Sequence, residues 1–193
     1  MKVGLFFGSF NPIHVGHMII ANHIAEFSDL DEVWFVVTPL SPFKKRSNLL
    51  PNYHRLALAN IAVEDFPNLK ASDIEFGLPQ PNYTVNTLAY IGEKYPEHQF
   101  CLIMGEDNLK SFHKWKNYET ILENYQMYVY PRISDNLSSS NQLEHWRINR
   151  IEAPVIQISS TLIRKGIKEG KDVRPMLPKD VCHFFVVLFF YMS

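Results

Sequence analysis

The sequence predicts an α/β fold of the doubly wound kind, a mostly parallel sheet with helices on both faces. Two observations carry that expectation: short, nearly continuous apolar runs rich in β-branched and aromatic residues, and longer segments of helical spacing that alternate with them. A strand covered by helices on both faces loses the apolar–polar alternation of a half-exposed strand, so continuous runs point to a central parallel sheet.

The strand-like runs fall at residues 3–7, 33–37, 100–104 and 127–130, with further short strands expected near 69–74 and 155–158. Helical spacing covers 18–27, 53–63, 84–95 and 118–124. The order is that of a Rossmann-like sheet, and no internal repeat interrupts it. Two stretches read as loops: 38–52, with three prolines and the cations Lys44, Lys45 and Arg46, and 131–141, rich in Ser and Asn. The first lies at the carboxyl end of the second strand, beside the crevice where open α/β sheets bind ligands.

At 193 residues, with no composition shift along the chain, a single domain spanning 1–193 is expected. The 46% apolar and 20% charged content can bury a sizeable core, which excludes wholesale disorder. A net charge of −1 gives no global reason to expect nucleic acid as a partner; the triplet at 44–46 would support only weak, salt-dependent binding. Cys101 and Cys182 are the only cysteines, which argues against a disulfide framework or thiolate zinc site and fits a reducing cytoplasm. The first apolar run is too short for a signal peptide, and the run at 181–192 falls short of the roughly 18 residues that span a bilayer, so it reads as a packed terminal element rather than a membrane anchor.

The chemistry concentrates in two strings. Gly8, Ser9, Phe10, Asn11 and Pro12 follow the first strand and form the first strand-to-helix turn, where phosphate sites belong. Asn11 reads as a helix cap and Pro12 as a first helical position, and the unpaired N–H groups of a helix start favour anions. His14 and His17, three apart, would share a face, with Gly16 between them leaving room for a nucleotide. A catalytic zinc would need a third ligand that no spaced Cys, Asp or Glu plainly supplies, so no protein metal site is predicted. Near the other end, Ser159, Ser160 and Thr161 precede Leu162 and Ile163 as an N-cap cluster, and Arg164 adds a fixed fork for phosphate.

The string G-S-F-N-P-I-H-V-G-H at 8–17 resembles the HxGH signature of the nucleotidylyltransferase superfamily, and the chain to about residue 180 is similar to the bacterial nicotinate-nucleotide adenylyltransferases. Residues 158–164, ISSTLIR, resemble that family's second phosphate motif. The run at 81–88, PNYTVNTL, resembles its Y-T-x-D-T segment, and 104–108, MGEDN, with Lys114-Trp115 resembles its G-x-D-N followed by K-W. The resemblance implies adenylyl transfer from ATP to nicotinate mononucleotide, giving deamido-NAD and pyrophosphate in NAD biosynthesis. It places Gly8, Ser9, Phe10, Lys44, Gly105, Asp107, Ile158, Ser159, Ser160 and Arg164 with ATP, and Thr84, Lys114 and Trp115 with the mononucleotide. His17 and His14 would contact the transition state, and Mg²⁺ would bridge phosphate oxygens with mostly water as its other ligands. Nicotinamide mononucleotide or another phosphate ester such as phosphopantetheine remains an alternative acceptor, and a non-catalytic nucleotide-binding module a third reading. Asn86 stands where the family usually has Asp, and Phe43 where a His often precedes the loop lysine. The ending VCHFFVVLFFYMS departs from the family's polar helix, which leaves a tail-mediated homo-oligomer open.

Overall fold

The computed structural model describes residues 1–42, 49–132 and 143–192, with side chains up to Phe185 in the last helix. Lys44 and Phe43, singled out above, lie outside the described residues. The chain runs β1 (Lys2–Gly8), α1 (Val15–Phe27), β2 (Glu32–Val37), α2 (Asn52–Val63), β3 (Leu69–Ser72), α3 (Thr84–Lys94), β4 (Gln99–Gly105), α4 (Glu106–Lys110), α5 (Tyr118–Asn124), β5 (Met127–Tyr130), β6 (Ile148–Arg150), α6 (Ser160–Lys168) and α7 (Lys179–Met192). The six strands form one parallel sheet in the order β3-β2-β1-β4-β5-β6. This is the Rossmann-like doubly wound arrangement, with the direction of winding reversing between β1 and β4.

Strands β1, β2, β4 and β5 each feed two cores, because successive side chains point to opposite faces. Phe6, Val33, Phe35, Val37, Cys101, Ile103 and Tyr128 pack under α1, α2, α6 and α7, through residues such as Ile24, Leu58, Ile163 and Phe185. Val3, Leu5, Trp34, Val36, Leu102, Met104 and Val129 pack on the other face under α3, α4 and α5, against Leu88, Ile91, Leu109 and Ile121. These four strands are largely apolar because both faces are covered. Among the described residues no helix is long and apolar enough to cross a membrane. In α7, Val181, Cys182 and Phe185 are buried in the first core.

Two expectations fail locally. Residues 155–158 are not a strand; the sixth strand is Ile148–Arg150, pairing with β5. The strand ends at Arg150, the Ile151 N–H gives the last bond to β5 at the Val129 carbonyl, and Pro154, with no N–H to give a ladder, lies beyond the sheet. Helix α1 starts at Val15, so Asn11 is not its cap and Pro12 not its first residue. The Asn11 side chain is spent elsewhere: its Oδ1 accepts the Leu50 N–H at 3.1 Å.

Candidate active site

A cavity of about 590 Å³ opens at the carboxyl ends of β1, β4 and β5, where the winding of the sheet reverses. It is lined by the first string (Gly8, Ser9, Phe10, His14, Gly16, His17) and the second (Ile158, Ser159, Ser160, Thr161, Arg164), with Asn108 and Arg132 completing its polar wall.

The turn after β1 is held by shape. A Cβ at Gly8 would fall 2.7 Å from the Phe10 ring, closer than real contacts allow. Phe10 sits at φ 41, in the left-handed region, with its buried ring edge-on to Phe35 and His17. A non-glycine residue keeps such a conformation only where its surroundings over-determine it, and functional turns are a common place for that. Gly16 lines the cavity, and a Cβ there would also crowd the His14 ring at 3.1 Å and Ile156 at 3.2 Å.

His14 is the N-cap of α1, with extended backbone, and its N–H donates to His17 Nδ1 at 3.2 Å. With Nδ1 accepting, the hydrogen of a neutral His17 ring is on Nε2. The two imidazoles stack, centroids 3.6 Å apart and planes 20° off parallel. Burial, with the positive charge of Arg132 second, pulls His14 from its ordinary 6.5 down to about 4, so near neutral pH it is uncharged.

The second string is stitched onto the first. Ser159 caps α6 by accepting the Leu162 N–H at 3.1 Å. Ser160 Oγ donates to the Pro12 carbonyl at 2.9 Å, and Arg164 Nη1 to the Asn11 carbonyl at 2.6 Å. Burial holds the Arg164 guanidinium below its usual range. Arg164 therefore faces the cavity and braces the first turn at once.

The other sequence-derived residues sit apart from this wall. Gly105 ends β4, where a Cβ would collide with Asp107 and with Arg132 at 2.8 Å. Asp107 is exposed and pairs with Arg132 Nη1 at 3.4 Å; neither Gly105 nor Asp107 lines the cavity, whereas Asn108 does. Thr84 opens α3, Lys114 is exposed, and Trp115 is half-buried against Phe112 with ring centroids 5.4 Å apart. These three do not line the cavity either, but they lie on one side of the sheet: Lys116 Nζ is 4.6 Å from the Tyr83 ring centroid, bringing the 114–116 turn beside the start of α3. Phe7 joins the two regions, lining the cavity while packing on the same apolar cluster as Trp115 and Val85.

Two cations were missed by sequence reasoning. Arg55 is fully buried in α2, and Arg132 closes the cavity just past β5. For Arg55 a signal existed: it shares the inward face of α2 with Leu58, Ala59 and Ala62, and a charge on an apolar stripe asks for a partner. For Arg132 the signal was its place at the carboxyl end of a parallel strand. Among the described residues no cluster of three His, Cys, Asp or Glu could hold a metal ion.

The cytidylyltransferase-like family model matches residues 5–166. A Flavobacterium psychrophilum protein named "Probable nicotinate-nucleotide adenylyltransferase" is 60% identical over 181 residues, covering 94% of each chain. A Christiangramia forsetii protein of the same name is 60% identical over 190 residues, covering 98% of each. Among solved structures, a Plasmodium falciparum nicotinic acid mononucleotide adenylyltransferase complexed with NaAD superposes with a TM-score of 0.80 at 17% identity, over 99% of this chain and 97% of that one; at that identity the likeness speaks for the fold.

Proposed function

We propose that this chain, which belongs to the cytidylyltransferase-like family, is a nucleotidyltransferase that joins the adenylyl group of ATP to nicotinate mononucleotide, giving deamido-NAD and pyrophosphate in NAD biosynthesis. The observation that carries the reading is the convergence of both phosphate strings on one cavity at the reversal point of the sheet. The substrates, charged and phosphorylated, suit a cytoplasmic reaction.

The chemistry needs no protein nucleophile. An oxygen of the mononucleotide phosphate attacks the α-phosphorus of ATP in line, a P–O bond forms there, and the bond to the β-phosphate oxygen breaks to release pyrophosphate. The protein's work is to align the two phosphates and neutralise the charge that builds on the transferred one. His17 Nε2–H is the donor we assign to an α-phosphate oxygen. His14, uncharged and stacked on it, holds the ring in place and keeps Nδ1 occupied through its N–H. The N-terminus of α6, with Ser159, Ser160 and Thr161, and the Arg164 fork receive the departing pyrophosphate. Bound with ATP, Mg²⁺ would supply charge neutralisation on the phosphates. Thr84, Lys114 and Trp115 take the mononucleotide, reached past Phe7.

The test is pyrophosphate release by purified protein with MgATP and a panel of acceptors: nicotinate mononucleotide, nicotinamide mononucleotide and phosphopantetheine. Release should require an acceptor, and the acid should exceed the amide by about ten- to hundredfold, the worth of one matched polar contact in a buried site. Release without any acceptor, or equal efficiency with the amide, would overturn the assignment.

A further inference from the structure

Arg55 spends a buried charge on backbone. Its guanidinium is fully buried, no carboxylate of the described residues pairs with it, and burial pulls its pKa down to about 10. If this position only filled space, an apolar side chain would serve, as at Leu58 and Ala59 on the same face. Instead the fork gathers main-chain carbonyls from three segments at the carboxyl edge of the sheet. Nη1 donates to Ser9 at 2.6 Å and to Thr38 at 2.9 Å, and Nε to Leu50 at 3.0 Å, while Nη2 holds Asn52 Oδ1 at 2.7 Å.

The Ser9 contact matters most. In a planar trans peptide the carbonyl and the following N–H point in opposite directions. Drawing the Ser9 carbonyl onto Arg55 therefore turns the Phe10 N–H away from Arg55. Ser9 and Phe10 line the cavity and Arg55 does not, so Arg55 stands behind the turn. Phe10 at φ 41 is the residue whose backbone this contact fixes.

We propose that Arg55 is a positioning residue: it orients the Ser9–Phe10 peptide so that the Phe10 N–H meets the nucleotide phosphates, and it locks the ends of the β2–α2 segment to that turn. The proposal rests on the nucleotide-binding part of the reading above. Arg55 touches no substrate.

Arg55→Met keeps the stem and removes the fork; Arg55→Lys keeps the charge but offers one ammonium in place of a planar fork with fixed directions. For each we would measure affinity for a non-hydrolysable ATP analogue and for nicotinate mononucleotide, then kcat, KM and thermal unfolding. A folded Arg55→Met should lose about tenfold in analogue affinity and on the order of a hundredfold in kcat, with mononucleotide affinity nearly unchanged, since small misplacements of an aligned phosphate are costly. Arg55→Lys should recover only part of both. Analogue affinity at the wild-type level in Arg55→Met, or equal loss of both ligands in step with the unfolding temperature, would overturn the proposal. Should Arg55→Met fail to fold, Arg55→Lys decides, and wild-type analogue affinity there overturns it. The binding arm separates this idea from the reaction assignment: wild-type protein that binds the analogue but releases no pyrophosphate with any acceptor defeats the latter alone.

Discussion

The two sides of the proposed reaction centre are built differently. Around the cavity, side chains from opposite ends of the chain are tied by short hydrogen bonds: Ser160 and Arg164 hold the carbonyls of Pro12 and Asn11, and Arg55 holds that of Ser9. On the other face, Trp115 packs in the second apolar cluster, and the neighbouring Lys116 meets Tyr83, beside Thr84, in a cation–π contact; Thr84, Lys114 and Trp115 themselves stand outside the cavity wall. Phosphate is recognised by directed donors that must be fixed in advance, which takes a stitched backbone. A flat aromatic ring asks mainly for a surface to lie on, which loosely tethered side chains can provide. The contrast predicts that substitutions on the first side act on rate, and those on the second act on affinity for one substrate.

The largest effect should come from His17. His17→Ala removes the Nε2 donor and should lower turnover by about a hundred- to thousandfold, the loss seen for comparable oxyanion contacts, while mononucleotide affinity changes little. The ring also touches Phe6 and Phe10, so unfolding of His17→Ala and His17→Asn belongs beside the kinetics. Near-normal turnover in a well-folded His17→Ala protein would erase the contrast, because the stitched side would then lack its chemical centre.

The stitched side was also the legible one. Its residues are consecutive in two strings, each readable alone as a phosphate-binding helix start, and the family resemblance is what joins Gly8 to His17 and Ile158 to Arg164 in one site. What sequence could not show was which group serves which partner. Asn11 looks like a cap and is claimed by Leu50, and Gly16, besides lining the cavity, makes room for His14 and Ile156. Arg55 marks itself in the sequence only as a charge on the apolar face of α2; its carbonyl partners leave no trace in side-chain identity. The strands were legible for a different reason: burial on both faces writes itself as unbroken apolar runs. The sixth strand, three residues long with only Ile148 apolar, carries no such mark.

A second effect concerns pH. The folded state keeps His14 neutral down to about 4, whereas an unfolded chain protonates it near 6.5. The folded value is the lower one, so this contribution to stability is complete above 6.5 and is lost as pH falls from 6.5 towards 4. Over that window it amounts to at most about 3 kcal/mol. Denaturant unfolding between pH 7 and pH 4.5 should therefore show a steeper loss in wild type than in His14→Gln. Equal slopes would mean that the stacked pair does not depend on keeping His14 uncharged.

The smallest effect, and the one that sharpens the contrast most, is at Trp115. The indole is half-buried and leans on Phe112, so it has a packing role and an exposed part. If that part covers the pyridine, Trp115→Ala should weaken nicotinate mononucleotide by about tenfold, the order of one aromatic stacking contact, and leave the ATP analogue nearly untouched. If the indole serves only the apolar cluster, truncation acts through stability instead: full core loss of a Trp costs about 3–5 kcal/mol, and both ligands weaken together as the unfolding temperature falls. Trp115→Phe divides the cases, since it keeps a ring for the substrate while giving up part of the packing. Mononucleotide affinity restored by Phe, with the unfolding temperature still lowered, assigns the ring to the substrate. Affinity that follows the unfolding temperature through all three proteins returns Trp115 to the core, and the second side of the site must then be sought elsewhere around Phe7.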